Sequence, residues 1–264
     1  MTSKELRIMT YNLKCEVGVP PHSWSDRREM VRDVIRRESP DLIGTQEGVF
    51  AQISDLLEML PEYGLVGLGR DGGSRGEYSA IFYKKERFQV LEYNHFWLSD
   101  TPNMIASATW GNMYTRMVTW ARFKDLQTNQ QFYHMNTHFD HESLNAREKS
   151  ARLVIQEAQD FDSTLPVLLT GDFNTDVHSQ PYNILTEEGS FKDTWELTKT
   201  RFNEDLGSFN DFRDPQGGSE RIDWVLGRGN MTVASAGIIN DLADGRFPSD
   251  HFPVVARLSL GDNV

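Results

Sequence analysis

The stretch RFPSDHFPVVARLSL, residues 246–260, joins an apolar run rich in β-branched residues to an acid and a histidine at its start. The run predicts a β-strand over 252–260, and Asp250 and His251 directly precede it. Burying an acid next to a strand costs free energy unless a partner compensates its charge. We therefore expect a bound cation and a paired histidine to make such buried acids tolerable.

The same arrangement recurs where other apolar, strand-like runs end. Polar side chains that need partners stand at these positions: Asn12 in RIMTYNL, Glu47 in DLIGTQE, His138 in NTHFDH, Asp172 and Asn174 in PVLLTGDFNTD, and Asp223 in RIDWVL. Since strand ends at one edge of a sheet lie close in space, we expect these side chains to converge on one pocket.

The chain as a whole has many short strands with a few helices between them. Apolar stripes at helical spacing predict helices over 26–37, 52–60 and 144–160. We expect Asp26 to cap the first of them. Strands are predicted over 7–13, 41–47, 78–83, 88–98, 117–126, 131–138, 166–171, 221–227, 232–239 and 252–260. This pattern favours a single α/β (α+β) domain, residues 1–264, in which two packed mixed sheets have helices outside.

Acidic residues outnumber basic ones in the composition. The 264 residues carry 27 Lys and Arg against 39 Asp and Glu, a formal net charge of −12. This balance argues against a protein that grips nucleic acid mainly through a basic surface, because neutralising phosphates needs clustered Lys and Arg. Cys15 has no second cysteine to pair with, and no apolar run suits a signal peptide or a membrane span. We expect a cytoplasmic protein with no membrane partner, and no protein partner can be inferred from the sequence.

The polar set favours a hard divalent cation. Carboxylate and amide oxygens suit Mg²⁺ or Mn²⁺, and the sequence has no Cys/His cluster of the zinc type. Glu47 is predicted as the main ligand, with Asn12 and Asp250 close to the ion or to its waters.

The histidines of the set, His138 and His251, ionise near neutral pH and suit the work of a base, an acid or a stabiliser. Glu77 and Asp223 are the carboxylates expected to orient them. Each residue alone also has an ordinary structural interpretation, such as a helix cap for Glu47 or a satisfied core position for either histidine. The joint pattern favours the functional interpretation over these separate ones.

Seven segments occur in order along almost the whole chain. They are TYNLK, IGTQE, GEYSAIFY, NTHFDH, TGDFN, RIDWV and SDHFPV, from residue 10 to residue 255. With them the chain resembles the endonuclease/exonuclease/phosphatase superfamily. It is most similar to the bacterial, deadenylase-like branch, which GRDGGSRGEYSAIFY, FWLSDTP and RMVTWARF also fit. The resemblance implies a four-layer α-β-β-α sandwich and divalent-metal-dependent hydrolysis of a phosphoester.

The resemblance also implies a role for each matching residue. It implies that Asn12 and Glu47 bind the metal and that Arg116 contacts phosphate. It implies that His138, with Glu77 as its partner, stabilises phosphoryl oxygens or protonates the leaving group. Asp172 and Asn174 would orient or deprotonate the attacking water, and Asp223 would orient His251, with Asp250 between that histidine and the metal. Whether Asp172 or His251 takes the proton from the water stays open at this point.

Substrate choice is expected in the loops. Trp24, Trp110 and Asn210, the last in GSFNDFRDP (207–215), are the candidates to line a substrate pocket. The absence of a basic stretch favours a phosphatase acting on a small phosphorylated metabolite, such as a sugar phosphate or a nucleotide. The alternatives are an exonuclease or deadenylase acting on short single-stranded nucleic acid and, less favoured, a non-catalytic binding module on the same scaffold.

Overall fold

Two β-sheets packed face to face form the centre of the computed structural model, which describes residues 5–16 and 18–261. The strands of these residues are β1 (Leu6–Asn12), β2 (Leu42–Gln46), β3 (Tyr63–Val66), β4 (Ala80–Lys84), β5 (Phe88–Trp97), β6 (Met117–Asp125), β7 (Gln131–His138), β8 (Val167–Asp172), β9 (Lys192–Asp193), β10 (Arg201–Phe202), β11 (Asp223–Arg228), β12 (Met231–Ile238) and β13 (Val254–Leu260). The helices are α1 (Trp24–Glu38), α2 (Phe50–Met59), α3 (Leu144–Gln159), and the short α4 (Gln180–Asn183) and α5 (Thr194–Leu197), with a π-helical segment at Ile184–Glu188.

Strand order brings the predicted polar positions to one edge of each sheet. The seven-stranded sheet has the order β10-β12-β13-β1-β2-β4-β3, and the six-stranded sheet has the order β5-β6-β7-β8-β11-β9. β1 runs parallel to β2 and antiparallel to β13, so the ends of β1 and β2 share an edge with the start of β13. In the other sheet β7 and β8 are parallel, and β6 and β11 run antiparallel to them. The ends of β7 and β8 therefore share an edge with the starts of β6 and β11.

The order of layers is helix, sheet, sheet, helix, which confirms the predicted sandwich. Successive residues of a strand face opposite sides of its sheet. Ile8 and Leu168 pack between the sheets, whereas their neighbours Met9 and Leu169 face outward. Met9 packs under α1 and α2, and Leu169 packs with Val154 of α3. The alternation of side chains along the strands thus produces one apolar cluster between the sheets and two apolar clusters between a sheet and its helices.

The ends of the three long helices differ from the predicted ones by at most two residues. Ser23 is the N-cap residue of α1, so Asp26, which was predicted to cap this helix, lies in its first turn instead. There it accepts a hydrogen bond from the Ser23 hydroxyl and still faces the positive end of the helix dipole. Among the described residues, no helix has the length and the apolar character that crossing a lipid bilayer requires.

A polar layer separates the inner apolar cluster from the strand ends. The inward face of β8 passes from Leu168 through Thr170 to Asp172, and all three are buried. Oδ1 of Asn136, in β7, accepts hydrogen bonds from Thr170 Oγ1 (3.0 Å) and from Gln46 Nε2 (2.8 Å). Gln46 ends β2 of the opposite sheet, so this network fixes the two edges relative to each other.

Candidate functional site

Asn12 joins the polar edges of the two sheets. This residue ends β1 and is fully buried. Its side-chain nitrogen Nδ2 donates to Glu47 Oε1 (3.0 Å), just after β2, and to Asp172 Oδ2 (2.9 Å), at the end of β8 on the other sheet. The ends of strands from both sheets therefore lie side by side in one site.

Glu47 is the carboxylate best prepared for a cation. It follows β2 in the left-handed backbone region, with a φ of 62°. Its Oε2 accepts a hydrogen bond from the Cys15 backbone N–H (3.1 Å), and the Lys14 ammonium lies 3.8 Å away. Although burial acts to raise the pKa of Glu47, the charge of Lys14 and the hydrogen bond from Cys15 lower it to about 2. The group is therefore ionised at neutral pH.

Asp250, predicted to lie near the metal, pairs with a residue that sequence reasoning did not select. Its Oδ2 is 3.0 Å from Nζ of Lys14, and its side chain is 3% exposed. Although burial acts to lower the pKa of Lys14, the charges of Glu47 and Asp250 raise it above its usual range. Lys14 is therefore a permanent positive charge inside the acidic edge of the seven-stranded sheet.

Arg27 of α1 holds the loops that carry these groups. Its guanidinium is fully buried and donates to the backbone oxygens of Leu13 (2.9 Å), Lys14 (3.0 Å), His22 (2.8 Å) and Pro248 (2.7 Å). These four hydrogen bonds satisfy the buried charge. They also tie the loop after β1 to the loop before β13.

Asp172 lies between the two histidines of the site. Its Oδ2 is 3.4 Å from His138 Nε2 and 3.7 Å from His251 Nε2. His251 Nδ1 pairs with Asp223 Oδ2 at 2.9 Å, and Asp223 is the carboxylate expected to orient it. Although burial acts to lower the pKa of His251, Asp223 and Asp172 raise it to about 10. Burial, and then the charge of Asp223, raise the pKa of Asp172 to about 7.

Asn174 shapes the turn that follows β8. Its backbone N–H donates to Asp172 Oδ1 (2.9 Å), and its side-chain Nδ2 donates to the backbone oxygen of Phe139 (3.0 Å), just after β7. The first bond closes an Asx-turn, which is the ordinary structural use of such a segment. The turn fixes the Asp172 carboxylate and ties together the loops after β7 and β8.

His138 pairs with Arg116 rather than with Glu77, its predicted partner. Arg116 lies just before β6, and its Nη1 is 2.7 Å from His138 Nδ1. A guanidinium has only donors, so Nδ1 accepts this hydrogen bond and the ring proton lies on Nε2, toward Asp172. Burial and the charge of Arg116 lower the pKa of His138 well below its usual range. The ring is therefore neutral at physiological pH.

Glu77 binds arginines instead. Its Oε2 is 2.5 Å from Nη1 of Arg70 and 3.8 Å from Nη1 of Arg116. A carboxylate pairs more strongly with a permanent guanidinium charge than with a neutral imidazole. Glu77 therefore positions the arginine that in turn contacts His138.

Two residues that sequence reasoning missed border the site next to Arg116. The first is His141, whose Nδ1 lies 3.2 Å from Nη2 of Arg116. The ring of Tyr114 stacks on His141, with 5.5 Å between centroids, and the Arg70 guanidinium lies 5.4 Å from the Tyr114 centroid. Tyr114 is 40% exposed, so a substrate has access to it. The signal available in the sequence was the position of His141 three residues after His138.

The three residues predicted to line a substrate pocket have structural contacts instead. Trp24 is 5% exposed within α1, and its indole N–H donates to Asp55 (2.9 Å). Trp110 is 8% exposed and packs in the outer cluster of the six-stranded sheet. Asn210 is fully buried, and its Nδ2 donates to the backbone oxygen of Ser249 (3.1 Å). Burying a large indole is strongly favourable, which explains why both tryptophans pack in the core instead of lining a substrate pocket.

Two overlapping groups of side chains have ligand atoms spaced for a metal ion. In the first, Glu47, His138 and Asp172 each offer one atom, and these atoms lie within 4.8 Å of one another. In the second, Asp172, Asp223 and His251 do the same. The second group is less suitable, because His251 and Asp223 are engaged with each other and the raised pKa keeps this histidine protonated. In the first, Nδ1 of His138 accepts from Arg116 and its Nε2 carries the proton, so Glu47 and Asp172 are the two carboxylates left to bind a hard divalent ion.

Known proteins share this chain's sequence pattern and fold. A solved endonuclease/exonuclease/phosphatase family protein from Bacteroides thetaiotaomicron is 34% identical, with a TM-score of 0.92 over 97% of this chain and 98% of that one. A mannosyl-6-phosphatase from the same organism is also 34% identical, with a TM-score of 0.90 over 96% and 99%. An uncharacterized protein of Acanthamoeba polyphaga mimivirus is 28% identical over 165 residues, which are 59% of this chain and 60% of that protein. The chain thus spans about 60% of the length of this curated relative. The profile of the Endonuclease/Exonuclease/phosphatase family matches residues 9–251, nearly the whole sequence, and the chain therefore belongs to that family.

Proposed function

We propose that the chain is a divalent-metal-dependent phosphatase acting on a small phosphorylated metabolite, with a sugar phosphate as the first candidate. Membership of the family makes it a hydrolase of phosphoesters. The observation that carries the proposal is the meeting of Glu47, His138 and Asp172 at one buried point, joined across the sheets by Asn12.

In the proposed reaction a water molecule attacks phosphorus in line with the leaving group. The substrate's negative charge repels this water, so positive and donor groups must offset that charge in the transition state. Arg116 and the Nε2–H of His138 are proposed to donate to phosphoryl oxygens. A divalent ion held by Glu47 and Asp172 would neutralise phosphoryl charge in the same place.

Asp172, rather than His251, is proposed to take the proton from the attacking water. A pKa of about 10 keeps His251 protonated at neutral pH, and an imidazolium has no free lone pair to accept a proton. Asp172 is held by hydrogen bonds from Asn12 and Asn174 on its two oxygens, so its position is fixed for the transfer. His251 then acts as a positive charge and donor beside it.

Two observations support a small substrate. The relative named mannosyl-6-phosphatase is 34% identical over almost the full chain. The net charge of −12 also argues against a long basic track for a nucleic acid backbone. Cationic side chains instead gather beside the site, where Lys14, Arg70 and Arg116 lie. One phosphate group with a compact leaving group suits such a local concentration of charge.

Phosphate release tests the proposal, using a panel of sugar phosphates and nucleotides with and without Mg²⁺ or Mn²⁺. A labelled single-stranded RNA is incubated in parallel and analysed for shortening. We expect metal-dependent phosphate release that EDTA stops, with a higher kcat/KM for a sugar phosphate than for any other member of the panel. Asp172→Asn should slow this release by roughly 10²–10⁴-fold. Asp162→Asn, in the exposed loop that precedes β8, is the matched control and should leave it unchanged.

The other outcomes discriminate between the remaining functions. Shortening of the RNA without phosphate release from metabolites would replace the proposal by the exonuclease or deadenylase alternative. A folded protein that binds metal and turns over neither kind of substrate would favour the non-catalytic binding module.

A further inference from the structure

Lys14 places its ammonium group among the acids of the site. Nζ lies 3.0 Å from Oδ2 of Asp250 and 3.8 Å from Oε2 of Glu47. The side chains of Asp250 and Glu47 are 3% and 14% exposed, and that of Lys14 is 30% exposed. One positive group therefore bridges two largely buried carboxylates that come from different loops of the seven-stranded sheet.

The backbone holds Lys14 in an unusual conformation. Its φ is 54°, in the left-handed region that a residue with a side chain adopts only at a cost in free energy. Three hydrogen bonds compensate: its N–H donates to Asn12 Oδ1 (3.0 Å), and its oxygen accepts from Arg27 Nη2 (3.0 Å) and Gln52 Nε2 (2.9 Å). Such a strained residue persists only where its surroundings fix it, and such residues cluster at functional sites.

The charges of the site are paired in a way that leaves one position for a divalent ion. Asp223 has the imidazolium of His251 at 2.9 Å, and Asp250 has the ammonium of Lys14 at 3.0 Å. Among the described residues, neither group spaced for a metal ion includes Asp250, whereas both include Asp172. The acid that sequence reasoning placed near the metal thus already has its own cation.

We propose that Lys14 is a built-in cation that takes the place of a second divalent ion at Asp250. One divalent ion then binds beside Glu47 and Asp172, and Lys14 supplies the other positive charge of the site. The ammonium lowers the repulsion that Asp250 would otherwise exert on an anionic substrate. This inference rests on the metal dependence in the proposed function and adds to it the number of ions bound.

Counting bound ions tests the inference without any substrate. Mn²⁺ binding to the full chain is measured by isothermal titration calorimetry and by electron paramagnetic resonance of the free ion. We expect the wild type to bind one ion and Lys14→Met, which removes the charge but keeps an unbranched side chain, to bind two. Lys14→Arg retains the charge and, as the matched control, should bind one. Adding Asp250→Asn to Lys14→Met should return the count to one.

Several results would overturn the inference. Two ions in the wild type would do so and would leave the proposed function intact, whereas no bound ion would overturn both. A single ion in Lys14→Met, bound more tightly than in the wild type, would show that Lys14 merely competes for the same position. If circular dichroism shows that Lys14→Met is unfolded, Asp250→Asn alone decides. The single ion should remain in that variant, and its loss would identify Asp250 as a ligand.

Discussion

Replacing Gly44 with alanine should destabilise the protein far more than one added methyl group suggests. Gly44 lies in β2, opposite the polar layer between the sheets. A Cβ there would overlap Thr170 Oγ1 and Asn136 Oδ1 and would lie 2.7 Å from Asn136 Cγ. Ordinary carbon–carbon contacts are about 3.5–4.0 Å, so both side chains must move by about 1 Å.

The magnitude follows from the hydrogen bonds that this movement breaks. Asn136 Oδ1 accepts from Thr170 Oγ1 (3.0 Å) and Gln46 Nε2 (2.8 Å), and Thr170 Oγ1 is bonded to His134 Nε2 (2.8 Å). Each buried group left unpaired costs roughly 1–3 kcal/mol, and crowding a packed interior costs about 1–3 kcal/mol more. With two bonds lost, the free energy of unfolding should fall by at least about 3 kcal/mol, out of a typical total of about 5–15 kcal/mol.

Urea unfolding followed by tryptophan fluorescence measures this change, with Gly237→Ala as the matched control. Gly237 lies in β12 of the same sheet, and a Cβ there would overlap the ring of Phe202. Phe202 is 37% exposed at the sheet edge and is able to turn away, so this variant should lose less than about 1 kcal/mol. If Gly44→Ala is as stable as this control, the polar layer yields to crowding and the reasoning is wrong.

Three further outcomes are expected. Asp172→Asn should lower kcat by roughly 10²–10⁴-fold without lowering Tm, because the substitution removes a buried charge. Phosphate release measures the first effect and thermal unfolding the second. Near-native turnover would reject the role given to Asp172. Arg27→Lys should lower the free energy of unfolding by at least about 2 kcal/mol and weaken Mn²⁺ binding in calorimetry. The reason is that the loops next to Asn12 and Asp250 lose a shared anchor. An unchanged metal affinity would show that these loops keep their conformation without Arg27. Burial lowers the pKa of His134 from 6.5 to about 3, so below pH 6.5 the unfolded chain takes up a proton that the folded chain refuses. Stability present above pH 6.5 should therefore fall by about 1.4 kcal/mol per pH unit as the pH drops toward 3, and urea unfolding should show a shallower decline for His134→Gln; equal slopes would contradict this.

The residues at strand ends were the part of the site that the sequence made predictable. Asp172 and His251 interrupt strongly apolar runs, and a buried polar group in such a run needs a partner. Strand pairing then brings such ends together, as the bond between Asn12 and Asp172 shows. The two-sheet sandwich was predictable from the alternation of apolar residues along the strands. The two-residue strands β9 and β10 are too short to show such an alternation.

Residues whose contacts depend on the path of a loop were not predictable. Lys14 reaches Asp250 from a left-handed backbone conformation, which nothing in the neighbouring sequence marks. His141 contacts Arg116 only because the chain turns back after β7. Trp24 was assigned to a loop because α1 begins two residues before its apolar stripe predicts. In each case the deciding interaction is between distant segments, and local periodicity carries no information about it.

The hydrogen bond from Asn12 to Asp172 crosses the seam between the two sheets, and each sheet carries only half of the proposed catalytic residues. Glu47 lies on one side of the seam, and His138 and Asp172 lie on the other. Under the proposed function, a molecule whose sheets had parted by a few ångströms would keep its helices and strands and yet be inactive. Turnover is therefore a sensor of sheet docking, and during gradual denaturation it should vanish no later than the near-ultraviolet signal of the packed aromatic rings.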